Sequence, residues 1–263
     1  ARGEVKNSVL VDNGDLIQGS PLGDYMATRG LKKGEVHPVY KAMNTLDYAV
    51  GNLGNHEFNY GLEFLAKTLS GANYPVVNAN VFDGNTLKRG SDGKVDWDAM
   101  PQHFKPYVLL DRQVKDANGK MQTIKVGVLG MNPPQILQWD KHNLEGKVVV
   151  ADMVETAEHY IPEMRAKGAD LVIIAAHSGI TGTPQEPLME NAAIYLAQVK
   201  GLDALLLGEE SAQALGIDIV AVAADALCQC IKGGHVEAYR VRTEALVQAC
   251  ETVQEQMKAL ADP

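Results

Sequence analysis

The chain has 263 residues, of which 46% are hydrophobic and 22% are charged, as in an ordinary globular protein. Its net charge of −9 argues against binding to a nucleic-acid polymer, which needs clustered Lys and Arg. It has no run of about 18 apolar residues, so no membrane span is expected, and residues 1–6 lack the apolar core of a signal peptide.

Strands alternate with helices over the first 210 residues. Strands are predicted at residues 8–12, 47–50, 75–81, 107–110, 124–130, 170–176 and 203–207, and helices from Pro38 and at residues 61–69, 152–167 and 187–199. Asp152 and Glu155 predict a capping box, Asn118-Gly119 a hairpin turn, and residues 83–103 a surface excursion. This alternation indicates an α/β domain with a largely parallel sheet, whose ligand groups lie at the C-terminal ends of strands.

The composition changes after about residue 210. Residues 217–231 are apolar and alanine-rich, and residues 243–260 form an amphipathic pattern that predicts a helix covering the sheet or, alternatively, a dimerising helix. Residues 1–210 are therefore predicted to be one domain and residues 211–263 a divergent, mostly helical C-terminal segment. Cys228 and Cys230 are too close for the usual zinc spacing, so these and Cys250 are expected to be buried or free thiols.

Three polar loops follow predicted strands. They contain Asp15, the pair Asn55 and His56, and His177. Singly, each has an ordinary structural explanation as a turn residue or a hydrogen-bonded histidine. Together, Asp15, Asn55 and His177 form a mixed oxygen and nitrogen set suited to Mn, Zn, Fe or Mg, and His56 is placed to face a substrate oxygen.

Six stretches of the sequence carry a resemblance: VLVDNGDLIQGSPLGDYM, HPVYKAMNTLDY, VGNLGNHEFNYGLEFL, YPVVNANV, PPQILQWDKHNLEGKV and AAHSG. Together they cover residues 5–208 and resemble the metallophosphoesterase domain of the 5′-nucleotidase superfamily. The resemblance implies a calcineurin-like metallophosphoesterase sandwich with α/β/β/α layers, incomplete at its N-terminal strand. It also implies a periplasmic enzyme that hydrolyses small nucleotides, among them 2′,3′-cyclic nucleotides and 3′-nucleotides.

The resemblance further implies roles for single residues. Asp15 would bridge two divalent ions (Mn, Zn, Fe, Mg or Co), and Asn55 and His177 would bind one of them. His56 would stabilise the phosphoryl oxygens or assist the leaving group while a metal-bound hydroxide attacks phosphorus in line. Many members have an Asp where this chain has Asn59, so His56 is expected to be less basic here.

Two family motifs are not matched. The opening Asp-x-His is not found, and Gly208-Glu209-Glu210-Ser211 stands where Gly-His-x-His is expected, with Glu209 as the candidate replacement ligand. The family's base-binding domain is also expected to have no counterpart within these 263 residues. Weak metal occupancy and low activity are therefore expected. The alternatives are an impaired fragment or pseudoenzyme that retains the fold, or an assembly module that uses the C-terminal helix; the oligomeric state is left open.

Overall fold

The computed structural model describes residues 7–208 apart from residues 117 and 182. Its strands are β1 (Val11–Asp12), β2 (Val50–Asn52), β3 (Val76–Val77), β4 (Val81–Asp83), β5 (Tyr107–Lys115), β6 (Met121–Met131), β7 (Val148–Val150), β8 (Leu171–Ala176) and β9 (Ala204–Leu206). Its α-helices are α1 (Pro21–Arg29), α2 (Pro38–Met43), α3 (Leu62–Leu69), α4 (Ile136–Trp139), α5 (Lys141–Leu144), α6 (Met153–Ala166) and α7 (Ala193–Leu196). Short 3₁₀ helices cover His56–Phe58 and Trp97–Ala99. The predictions for Glu209, the cysteines and residues 211–263 lie outside the described residues.

The strands form two main sheets and a ribbon rather than the single, largely parallel sheet that was predicted. The first sheet has the parallel order β1-β2-β3, and the second has the order β5-β6-β8-β9, in which only β5 is antiparallel to its neighbour. β4 and β7 form the antiparallel ribbon. The predicted strand over residues 75–81 divides into β3 and β4 because the buried amides of Asn78 and Asn80 between them bond to Asn132.

The two main sheets pack face to face through small and β-branched side chains. This inner cluster comprises Val50, Val77, Val108, Val126, Val128, Ile173, Ala175 and Ala204. Residues that alternate with these point to the outer faces, as strand geometry requires. Ile174 packs against α6 in one outer cluster, and Val76 packs in another cluster with residues of α2 and α3. The layers are therefore α/β/β/α, as the resemblance implied.

Several predicted local features are confirmed, and two are corrected. The β5–β6 hairpin is present, and α2 begins at Pro38 as predicted. The structure adds that Nδ1 of His37 caps this helix by accepting the N–H of Val39. Asp152 caps α6, but the Glu155 carboxylate accepts the N–H of Val95 instead of completing a capping box.

The last predicted helix is shorter than residues 187–199. Leu188 adopts a positive φ of 59°, which a continuous α-helix does not allow. The Ser178 hydroxyl also accepts the N–H of Ala192 and donates to the carbonyl of Glu190. Within residues 187–199, only Ala193–Leu196 is helical as a result.

Over the described residues, every helix is too short or too polar to cross a membrane.

Candidate functional site

The loops after β1, β2 and β8 meet where the two main sheets pack together. Asn13 donates from its side-chain amide to the carbonyl of Ala176 over 3.0 Å, which joins the loop after β1 to the end of β8. Asn52 donates to the side-chain oxygen of Asn13 over 3.2 Å and to the carbonyl of Met131 over 2.8 Å. These side-chain hydrogen bonds hold the ends of β1 and β2 from the first sheet against the ends of β6 and β8 from the second.

Asp15 and His177 are in direct contact across this junction. Nε2 of His177 lies 3.0 Å from Oδ2 of Asp15, and Nδ1 lies 2.9 Å from the carbonyl oxygen of Asn13. A carbonyl only accepts, so Nδ1 carries a proton and donates it, and Nε2 is the nitrogen turned toward the carboxylate. Histidines that bind metals are commonly held in this way by a backbone carbonyl.

The charges of the pair reinforce each other. Burial alone would raise the pKa of Asp15, but the hydrogen bond and charge of His177 and the N–H of His56 hold it below its usual value. Burial likewise lowers the pKa of His177, yet the Asp15 carboxylate outweighs this and raises it. The contact therefore favours the ion pair of an ionised Asp15 and a protonated His177.

Asp15 is held in a backbone conformation that side chains with a Cβ seldom adopt. Its φ is 64°, in the left-handed region. The buried carboxylate of Glu57 accepts the N–H groups of Asp15 and Gly54 on one oxygen and those of Leu16 and Ile17 on the other, over 2.6–3.3 Å. Glu57 thus clamps the loop after β1 to the loop after β2.

Two glycines allow these loops to approach. A methyl group on Gly14 would overlap the backbone of Gly54, and one on Gly54 would overlap Oδ1 of Asp15 and the ring of His177. Gly14 also has a φ of 93°. The predicted motifs therefore need glycine here for space as well as for conformation.

His56 and Asn55 lie on the turn beside Asp15. The backbone N–H of His56 donates to Oδ1 of Asp15 over 3.0 Å, and its Nδ1 lies 2.7 Å from Oδ1 of Asn59. Asn55 begins the 3₁₀ helix, but its side chain caps nothing and bonds to no residue that the structure describes. The structure thus brings Asp15, His56 and His177 together, with Asn55 adjacent in the chain.

The donor chemistry fits a divalent cation. Asp15 offers a carboxylate oxygen, His177 an oriented imidazole nitrogen and Asn55 an uncommitted amide oxygen. Within the part of the chain that the structure describes, no three His, Cys, Asp or Glu side chains converge as a metal-binding group, and the Asn55 amide is the neutral oxygen donor beside Asp15 and His177. Glu209, the predicted additional ligand, lies outside the described residues.

Sequence reasoning missed two acids of this site. Glu57 is the last residue of the Gly-Asn-His-Glu motif, and its value as a clamp depends on backbone N–H groups that a sequence does not display. Asp12, at the end of β1, is 7% exposed, and its Oδ2 has no hydrogen-bond partner among the described residues. Burial raises the pKa of Asp12 to about 7, with the nearby Glu57 charge adding to the effect. The sequence signal that could have identified Asp12 is an acidic residue at the end of an apolar strand.

Comparisons with known proteins place the chain among phosphoesterases. No family model matches it. It is 56% identical over 218 residues to 2′,3′-cyclic-nucleotide 2′-phosphodiesterase/3′-nucleotidase of Salmonella typhimurium, a match covering 83% of this chain and 32% of that protein. The crystal structure of calcineurin-like phosphoesterase YfkN from Bacillus subtilis is similar with a TM-score of 0.71 and 41% identity, covering 86% of this chain and 67% of that one. The chain spans about a third of the length of the curated relatives it matches.

Proposed function

This chain belongs to the calcineurin-like phosphoesterases, and from that premise we propose that it hydrolyses phosphoesters of nucleotides with divalent cations held by Asp15, Asn55 and His177. The observation that carries the proposal is the 3.0 Å contact between Asp15 and His177, made by loops from two different sheets. The Glu57 clamp and the close approach of Gly14 and Gly54 support this contact between a carboxylate and a half-buried imidazole. The domain that does this is proposed to be residues 1–210.

Cations bound here would lower the pKa of a water molecule bound to them and would offset the negative charge of the phosphoryl group. The chain's own residues prepare the site for them. Asn13 accepts the Nδ1 proton of His177, so that Nε2 is the nitrogen left to bind. The N–H of His56 occupies one oxygen of Asp15 and thereby fixes the orientation of the carboxylate.

His56 is proposed as the catalytic residue. Its Nδ1 is committed to Asn59, and its Nε2 has no partner among the described residues. Because Nδ1 keeps its proton against Asn59, a second proton would be held on Nε2, and the doubly protonated ring would donate it to a phosphoryl oxygen or to the oxygen of the leaving group. His56 lies next to Asn55 in the chain, so this donor would stand beside the proposed cation site.

The proposed substrates are small nucleotides, including 2′,3′-cyclic nucleotides and 3′-nucleotides, as the Salmonella relative's name supports. The net charge of −9 supports a small substrate over a nucleic-acid polymer. A periplasmic location is proposed on the family resemblance alone, and fractionation of cells that express the natural gene would test it.

The test is hydrolysis of bis(p-nitrophenyl) phosphate and of a 2′,3′-cyclic nucleotide by the full chain after chelation and addition of Mn. His177→Ala is the test variant, and His159→Ala is its matched control, because His159 stacks on Trp97 on another part of the fold. We expect Mn-dependent hydrolysis in the chain and the control but not in His177→Ala. Equal rates in the two variants, or undiminished rates under chelation, would overturn the proposal.

A further inference from the structure

The side-chain amide of Asn59 lies between His56 and a buried carboxylate. Its Oδ1 is 2.7 Å from Nδ1 of His56. Its Nδ2 is 3.0 Å from both Oδ1 and Oδ2 of Asp140. His56, Asn59 and Asp140 therefore form a continuous chain of hydrogen bonds that joins the proposed catalytic histidine to the α4–α5 junction.

The chemistry of the three groups fixes the direction of this chain. An ionised carboxylate only accepts hydrogen bonds, so the NH₂ group of Asn59 must face Asp140. The amide oxygen must then face His56, and because this oxygen also only accepts, Nδ1 of His56 must carry the proton. Asp140 thereby leaves Nε2 as the nitrogen available to a substrate oxygen, although it does not touch His56.

The placement of Asp140 is not explained by the needs of the fold alone. It is 3% exposed, and over the described residues no Lys, Arg or His forms an ion pair with it. A buried carboxylate without a counter-charge is costly unless hydrogen bonds compensate for it. Asp140 also stands at the N-cap position of α5, yet its side chain caps no helix N–H. Both oxygens are committed to Asn59 instead.

Another residue already performs the purely structural task in this region. Asn143, on α5, donates to the backbone carbonyls of Phe58 over 3.2 Å and Asn59 over 2.9 Å. It therefore holds the backbone of the turn that follows His56. The hydrogen bonds that Asp140 accepts from Asn59 are therefore not needed to hold this backbone, and they fix only the orientation of the Asn59 amide.

We propose that Asp140 is a positioning residue that acts through Asn59 to hold His56 as its Nδ1–H tautomer. The proposal rests on the proposed function in so far as His56 serves the reaction. It assigns a role to the Trp139-Asp140-Lys141 stretch, which lies far from the metal-site motifs in sequence. Many family members have an Asp at the position of Asn59. In this chain the Asn59 amide links His56 to a carboxylate instead, that of Asp140.

The first test measures the tautomer and needs no turnover. Histidine side-chain ¹⁵N spectra of the full chain are recorded at one fixed pH about two units above the ordinary imidazole pKa, with the His56 signals identified by their loss in His56→Gln. We expect the Nδ1–H form in the chain and in the control Asn143→Ala. In Asp140→Ala the Asn59 amide is free to turn, so the Nε2–H form should appear. An unchanged tautomer in Asp140→Ala would overturn the proposal.

The second test exchanges the two partners. Asn59→Asp alone sets two carboxylates against each other, and Asp140→Asn alone leaves the direction of the Asn59 amide unfixed, because the new side chain can accept or donate. We therefore expect kcat on bis(p-nitrophenyl) phosphate to fall about 10–100-fold in each. The double variant Asn59→Asp with Asp140→Asn again supplies an acceptor for His56 and a donor behind it. We expect it to recover most of kcat and the Nδ1–H tautomer, whereas additive losses would refute the chain of bonds. If the parent chain hydrolyses nothing, the proposed function fails, and the tautomer still decides the role of Asp140.

Discussion

Nε2 of His177 lies 3.0 Å from Oδ2 of Asp15, so two proposed cation ligands are each other's partners. Asp15 outweighs the effect of burial and raises the pKa of His177, which favours the imidazolium form. A cation needs the neutral imidazole, so its binding has to displace a proton. The same contact that assembles the site therefore makes cation binding compete with protonation.

The first prediction is that Mn affinity falls as the pH is lowered through the raised pKa of His177. Below that pKa the proton occupies Nε2, and above it the nitrogen is free. Isothermal titration of the full chain with Mn in buffers of different ionisation enthalpy measures both the affinity and the proton released. His159→Ala should keep this pH dependence and His177→Ala should lose it. Proton release in His177→Ala equal to that of the parent chain would contradict the assignment.

The second prediction concerns the Glu57 clamp. Glu57→Gln puts an amide NH₂ against backbone N–H groups that now point at a carboxylate oxygen. We expect the free energy of unfolding to fall by about 2–4 kcal/mol, because buried donors lose their charged acceptor. We also expect Mn affinity to fall about 10-fold, because Asp15 loses the support of its strained backbone. Urea unfolding and Mn titration measure the two effects separately.

Asp203→Asn is the matched control for this variant. Asp203 is another part-buried carboxylate that accepts a backbone N–H, that of Val172 at the far end of β8, and it pairs with Arg165. It should lower stability without changing Mn affinity. If Glu57→Gln and Asp203→Asn lower stability alike and both keep the Mn affinity of the parent chain, Glu57 serves only the fold.

The sequence predicted the strand-end loops better than the contacts between them. Asp15 and His177 could be placed at strand ends, because an apolar run that stops at a polar residue is a local pattern. Their contact depends on two sheets packing face to face, and no local pattern shows that β2 and β8 belong to different sheets. The split between β3 and β4, which separates the first sheet from the ribbon, likewise depends on the buried amides of Asn78 and Asn80. Asp140 lies 81 residues from Asn59, and no local pattern joins two residues so far apart.

The third prediction tests the close approach of the loops. A methyl group in Gly54→Ala overlaps Oδ1 of Asp15 and the ring of His177, so one of these side chains must move. We expect a loss of Mn affinity of about 10-fold or more. Gly127→Ala is the control, since the added methyl group there meets mainly the flexible end of Met164. Equal Mn affinity in both variants would mean that Asp15 and His177 can accommodate the methyl group and still bind the cation, so the close approach of Gly54 would not be needed for the site.

The last prediction concerns Asp12 and the pH dependence of stability. Burial raises the folded-state pKa of Asp12 to about 7, above the ordinary value of 3.8 expected in the unfolded chain. A raised pKa of an acid stabilises the fold fully below the unfolded value, and this contribution is lost as the pH rises toward the folded value. The Asp12 contribution to the free energy of unfolding should therefore fall by about 1.4 kcal/mol per pH unit between the two pKa values.

Asp12→Asn removes that titration while it keeps an oxygen to accept the N–H of Gly14, which Oδ1 of Asp12 accepts over 3.1 Å. Urea unfolding with a chelator present compares the variant with the parent chain at about pH 5 and about pH 6.5, a window inside the titration. The stability of Asp12→Asn relative to the parent chain should rise by about 2 kcal/mol between these pH values. Asp12→Ala should follow the same pH trend from a lower starting stability, because it also leaves the N–H of Gly14 without its acceptor. A pH-independent difference for both variants would mean that Asp12 keeps an ordinary pKa in the folded protein.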